Sequence, residues 1–432
     1  MSKLVSFGAV LGMTILMAGN VMAGEYFVSV ETGKGKKGTK EEPAKEIGGL
    51  LEKLQPGDVI NVAGGVYLGK GGAGRDEILM PVKIIGGWNT SFSKRDPWGA
   101  TKTILSGDNK YANFVGLARL EINLQKFKET NGEVVIDGLL VDNSARNRYS
   151  GGGAKILRKM DPKTGENATP ESAGILVRGS KGIRITIKNC IVTNAGPTTG
   201  ALMTYGGQDS KVVISNNLLI NNTGAGIEAN SSWHPKDGKG VPVYTIENNT
   251  VLFTWKHDPF ATYGGYGLAM DADTLISVSN NVFAFSDITG VYNAKKSKNL
   301  TLKDNLFQAN LQADYIEFNT KISVDALEDD ASLLSDNSGG NVAKEISLKM
   351  NEEWSKLYMT RQVIDRNAAE ADVKVLNTRM NAWRGILGLP LQGTSIKADS
   401  DVWLNRLSLE DAFRAGVKKL NGKYGCEAPR SS

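Results

Sequence analysis

Apolar and polar positions alternate along this chain in short bursts, and one burst recurs. It reads Ile136-Asp-Gly-Leu-Leu-Val141, Ile187-Lys-Asn-Cys-Ile-Val192, Ile214-Ser-Asn-Asn-Leu-Leu219, Ile246-Glu-Asn-Asn-Thr-Val251, Val278-Ser-Asn-Asn-Val-Phe283 and Leu302-Lys-Asp-Asn-Leu-Phe307. The first residues of successive copies are 51, 27, 32, 32 and 24 positions apart. A glycine followed by an apolar residue precedes most copies, at Gly174-Ile175, Gly200-Ala201, Gly226-Ile227, Gly267-Leu268 and Gly290-Val291. Two short strands per repeat, with insertions of variable length, predict a β-solenoid. Each strand has one apolar inward face that it cannot bury alone, and stacking coils about 4.8 Å apart buries a continuous core. Asn217, Asn249, Asn281 and Asn305 fall in one column, which Cys190 and Leu139 occupy in earlier coils. Asparagine tolerates the left-handed bend between two strands, and stacked amides can hydrogen-bond along the stack. The column therefore reads as an internal ladder, since buried amides need partners.

The ends read differently. Residues 26–30 predict a strand. Residues 43–54 predict a helix with Ile47, Leu50, Leu51 and Leu54 on one face, placed to cap the stack. Gln55-Pro-Gly-Asp58 is a turn, and a strand begins at Val59. From about residue 322 the pattern changes. Residues 325–341 are acidic, then rich in Ser and Gly, while 344–384 and 407–420 have helical spacing, the latter with Ser408 and Asp411 near its start. The expected organisation is a leader over 1–23, a solenoid domain over 24–321 and a partly helical C-terminal extension over 322–432. The extension is expected to cap the solenoid and clamp back along it, with oligomerisation or partner binding as the alternative.

Composition narrows the function classes. The chain has 432 residues and a formal charge of +5, with 51 basic and 46 acidic residues interspersed. That balance gives no nucleic-acid surface. Two cysteines cannot staple such a length, and 50 glycines without a triplet period are not collagen. Cys190 in the ladder column and Cys426 in the tail are expected to be free. Lys3, the apolar run over 4–18 and Val21-Met22-Ala23 predict a cleaved secretory signal, hence an exported protein, periplasmic, secreted or at the cell surface. No other run is long and apolar enough for membrane insertion. Gly33-Lys-Gly-Lys-Lys-Gly38 matches a dinucleotide-binding glycine pattern but lacks the strand and helix that would give it meaning.

The phrases Pro56-Gly-Asp-Val-Ile60, Gly64-Gly-Val-Tyr67 and Ile85-Gly-Gly-Trp-Asn89 resemble the opening of right-handed parallel β-helix proteins of the pectate-lyase-like superfamily. With the repeats, the resemblance spans about residues 25–320. It implies an all-β solenoid, a right-handed parallel β-helix with an N-terminal cap helix and a partly helical C-terminal extension. Polysaccharide lyases, glycoside hydrolases, epimerases and non-catalytic adhesins share that fold, so the resemblance leaves the chemistry open.

If each repeated glycine starts a strand, alternation turns Leu176 and Arg178, Leu202 and Thr204, Glu228 and Asn230, Ala269 and Asp271, and Tyr292 and Ala294 outward. This places Asn230 beside Asp271, with Glu228 diagonal to it. Two insertions flank the face. Residues 231–243 carry Trp233, His234 and Lys236; residues 254–266 carry Trp255, Lys256, His257, Tyr263 and Tyr266. Aromatic rings and paired carboxylates are the parts of a glycan site. Asp271, Glu228, Arg178 and His257 are the candidate catalytic residues, with Asp271 as acid/base or metal ligand. Asn230, Tyr292 and the remaining insertion residues named above are candidates for substrate binding. The Asp pairs with Gly-His-Gly of polygalacturonase-like hydrolases, the Asp-Pro-His-Asp of alginate epimerases and a tight calcium cluster are all missing. No cofactor or metal is expected. Ca²⁺ on Asp271 and Asp273 is the one candidate, and two carboxylates are few for an ion taking 6–8 oxygens. The reading is an exported protein that recognises, and as lyase or hydrolase would cleave, a polysaccharide or surface glycan. The alternative is a non-catalytic platform that holds protein partners, partly through its C-terminal extension.

Overall fold

The structure is a computed structural model. It describes residues 23–69, 74–106, 118–143, 173–196, 199–256, 264–295, 299–346, 408–420 and 422–432. The described chain winds as a parallel β-helix of three sheets, each with nine strands among the described residues. Three strands make one coil, as in Arg184–Lys188 of sheet A, Ile191–Thr193 of sheet B and Gly200–Gly206 of sheet C. The connection from a strand to its parallel neighbour favours a right-handed coil. The expected two strands per repeat become three because the recurrent burst is a corner. Asp137 ends a sheet A strand and Leu139 opens one of sheet B, as do Ser279 and Val282 four coils later.

The corner explains the asparagines. The left-handed conformation belongs to the residue before the predicted column: Asn189, Asn216, Asn248, Asn280 and Asp304 have φ of 53–55°. The next residue points inward and forms the ladder. Asn217 Nδ2 donates to Asn249 Oδ1 at 2.9 Å, Asn249 to Asn281 at 3.0 Å, and Asn281 to Asn305 at 3.0 Å. Cys190 N joins one end through Asn217 Oδ1 at 2.9 Å. The other end runs on through Asn341 to Glu328 Oε1. The ladder lies within the main core, beside Ile187, Ile214, Ile246, Val278 and Leu302. Cys190 and Cys426 are free and buried, and burial pushes each thiol up to about 12.

The N-terminal cap is smaller than the predicted helix. Only Ile47–Gly49 forms a single 3-10 turn, because the pair Gly48-Gly49 disfavours a helix and Ala44 is drawn into bridges with Val28 and Gly35. Ile47, Leu50 and Leu54 still bury against the first coil. The far end is closed by the antiparallel strand Thr320–Ile322 and by helix α1, Val324–Asp329, which buries Val324 and Leu327. Helix α2, Leu409–Gly416, is N-capped by Ser408 as the sequence suggests. It packs with Tyr424 and Cys426 on the outer face of sheet B, over Leu218, Ile220, Leu252 and Val282. The segment expected to be helical over 344–384 falls almost wholly outside the described residues, as does the leader.

Candidate functional site

The lengths of the corners leading from sheet B into sheet C determine where the surface opens. Most of these connections are long, but one is Gly224 alone, in the left-handed region at φ 75° between strands Leu218–Thr223 and Ala225–Ser231. The backbone N–H groups of Gly265 and Tyr266 both donate to the Gly224 carbonyl, at 2.6 and 3.0 Å, which seats the next coil on this short corner. A cleft of about 290 Å³ opens above it, lined by Thr199, Glu228, Asn230, Tyr266, Asp271, Tyr292 and Lys295.

Strand register puts these side chains on one face. Glu228 pairs with Ala269, which pairs with Tyr292. Asn230 Nδ2 donates to Glu228 Oε1 at 2.9 Å. Burial raises the Glu228 carboxyl above the ordinary carboxylate range, and the Asp271 charge adds to the rise, while Asn230 and the Gly200 N–H oppose it. Asp271 Oδ1 is buried without a hydrogen bond. The rings of Tyr266 and Tyr292 stack at 4.3 Å between centroids. Burial pushes the Tyr266 hydroxyl up to about 12, so its O–H stays protonated near pH 7.

A second cluster adjoins the cleft. The insertion after strand Ala225–Ser231 reaches over the following coil, where His234 Nδ1 lies 2.6 Å from Asp273 Oδ2. Ligand atoms of His234, Asp271 and Asp273 lie within 4.8 Å of one another. Sequence reasoning considered Asp273 only for calcium and put His234 with the substrate-binding residues. Their meeting depends on the fold of an insertion with no periodicity to reveal it.

One expected register is wrong. Leu202 pairs with Ile227, one residue out of step with the repeated glycines, because Gly200 aligns with Ala225 and not with Gly226. Leu202 and Thr204 therefore face inward, and Met203 and Tyr205 take the outward positions. Arg178 is on the predicted face but outside the cleft. Tyr205 stands between it and Asn230, and Arg178 lies over the Tyr205 ring at 4.9 Å with its Nε 3.8 Å from Glu121. Trp255 is a further correction: it is buried on the outer face of sheet B, stacked on Phe253 at 6.1 Å, because the strand Thr250–Trp255 extends far enough to pair Trp255 with Thr223 of the coil before it. Trp233 and Lys236 are exposed on the insertion, with Trp233 Nε1 donating to the Lys239 carbonyl. The backbone N–H of Lys256 donates to Asp287. His257 and Tyr263 lie outside the described residues. Lys295 went unrecognised because nothing in its surroundings distinguishes it from other surface lysines.

The fold and cleft define a parallel β-helix protein with an open cleft on one sheet. The sequence pattern of one family, described as periplasmic copper-binding protein (NosD), matches residues 110–324. That description agrees with the export predicted from the leader. No curated protein matches the chain in sequence. Similar solved structures include pectate lyase Pel9A, at 12% identity over 70% of this chain and 78% of that one, TM-score 0.31. The family 28 exopolygalacturonase of Yersinia enterocolitica is 10% identical over 68% of this chain and 60% of that one, TM-score 0.34. The GH136 lacto-N-biosidase from Eubacterium ramulus is 11% identical over 74% and 67%, TM-score 0.18.

Proposed function

We propose that this exported β-helix protein binds a glycan in the cleft over Gly224, and that its chemistry, where it cleaves, is hydrolysis. The observation that carries the reading is the stacked pair Tyr266–Tyr292 beside Glu228 and Asp271 in one open cleft. Tyrosine faces suit the apolar faces of a sugar ring, and their hydroxyls remain donors. A carboxyl raised by burial beside a second carboxylate is the arrangement of a general acid and its base or nucleophile. Elimination would need a base such as Lys or Arg and neutralisation of a uronate. Arg178 is outside the cleft and engaged with Glu121 and Tyr205, which leaves Lys295 as the basic residue in the described lining, and the carboxyl pair favours hydrolysis over elimination. The platform reading would use the C-terminal extension, and among its described residues Ala412, Ala415 and Cys426 turn into sheet B.

The test is a panel of neutral and uronic oligosaccharides, followed by calorimetry for binding, reducing ends for hydrolysis and ultraviolet absorbance for unsaturated product. Binding with release of reducing ends, lost by about 10²-fold or more in Glu228→Gln, is the expected result. An unsaturated product would replace hydrolysis with elimination. Absence of binding across the panel would remove the glycan reading.

A further inference from the structure

We propose that His234, Asp271 and Asp273 form a site for a divalent transition-metal ion, and that the bound ion fastens the insertion over 232–242 to the coil beneath it. The donors come from two places that sequence separates and the fold joins: His234 from the insertion, the two aspartates from the short corner after strand Tyr266–Met270. Their ligand atoms already lie within 4.8 Å of one another. Donors around one ion sit about 2.0–2.2 Å from it, so closure asks for a shift on the order of 1 Å, available to the exposed His234. Asp271 Oδ1 is buried with no hydrogen-bond partner, an oxygen free to take a ligand.

The donor chemistry selects the ion. One imidazole nitrogen and two carboxylates suit Zn²⁺, Cu²⁺ or Ni²⁺, whereas Ca²⁺ and Mg²⁺ take oxygen ligands almost throughout. Cu⁺ prefers sulfur, and none of the three donors supplies it. Coordination would take the Nδ1 lone pair of a neutral imidazole, exchanging the present hydrogen bond to Asp273 for two bonds to a shared ion. The site is independent of the glycan reading, although Asp271 belongs to both.

The experiment uses the full chain, stripped with a chelator and titrated separately with Cu²⁺, Zn²⁺ and Ca²⁺ by calorimetry at neutral pH. Quenching of Trp233, on the same insertion, gives a second readout for Cu²⁺. One ion per chain is expected, with Cu²⁺ or Zn²⁺ bound at least about 10²-fold more tightly than Ca²⁺. His234→Ala and Asp273→Asn should each weaken binding about tenfold or more, while Asp237→Asn, an exposed acid of the same insertion, should leave it unchanged. No stoichiometric binding, Ca²⁺ bound most tightly, or unchanged affinity in both ligand variants would overturn the site.

Discussion

At the scale of single residues, the polar interior is as specific as the apolar one. Asn249 Oδ1 accepts from both the N–H and the Nδ2 of Asn217, while its own Nδ2 donates to the Ile214 carbonyl and to Asn281. Asn249→Ala removes these four hydrogen bonds from a dry core, although Asn217 Nδ2 keeps the Ile187 carbonyl and Asn281 Oδ1 keeps the backbone N–H of residue 249, so it should lower unfolding free energy by about 2–4 kcal/mol in urea titration. A loss below about 1 kcal/mol would mean that water replaces the amide. Glu46 gives a pH signature. Burial, then the Asp76 charge, raises its carboxyl above the ordinary 4.5, with Arg119 opposing. The unfolded chain therefore ionises first as pH rises, and stability falls through the window from about 4.5 up to the folded value. The melting temperature of Glu46→Gln should gain on the parent as pH rises through that window; a constant difference would place the carboxyl in ordinary solvation. The ladder residues were legible from spacing alone, because Asn recurs at fixed distance from apolar neighbours. Asp271 and His234 were named singly, but their meeting was not legible, since contact across an insertion leaves no periodic trace.

At the scale of elements, the corners and caps carry the information that strand patterns lack. The core strands could be read from alternation, but the register of Gly200–Gly206 could not, because its glycine lies one step from the repeat's. A slip of one residue exchanges the two faces of a strand, which is how Tyr205 came to stand where Thr204 was expected. The N-terminal helix failed for a local reason, its two central glycines. Helix α1 does more than cover apolar side chains. Its Glu328 accepts from the Asn341 N–H and Nδ2 through Oε1, and from the Gly340 N–H through Oε2, closing the asparagine ladder with a charge. In Glu328→Ala the last coil should lose about 1–3 kcal/mol of protection in hydrogen exchange, at Asn305, Asn341 and Val342. Equal loss at Asn217 or Ile246 would show that the ladder transmits the damage inward.

At the scale of the whole molecule, stacked coils touch only their neighbours, so a solenoid tends to fray from its ends. The C-terminal strap counters this by running along the stack. Lys423 Nζ meets Asp304 at 2.8 Å, Gly425 N donates to the Asn280 carbonyl, and Cys426 N donates to Thr250 Oγ1. Glu427 exchanges hydrogen bonds with Asn216, and Ser432 exchanges backbone bonds with Arg95. These anchors fall successively from the later coils to the second, mostly at the left-handed corners, where the same Asn and Asp residues that turn the chain present their outer atoms to the strap. The residues that bind it, from Asp304 back to Arg95, are distant in sequence, so the strap joins coils that have no contact with each other. Deletion of residues 424–432 removes these joins, except that of Lys423, without touching the core strands. Unfolding should then broaden, with a lower slope against denaturant and with protection at the terminal coils falling before that of the middle ones. Thr250 and the sheet B face beneath Cys426 would also open, giving dye binding at temperatures where the parent shows none. A truncated chain that still melts in one sharp transition, with an unchanged slope, would place the cooperativity in the ladder and core alone.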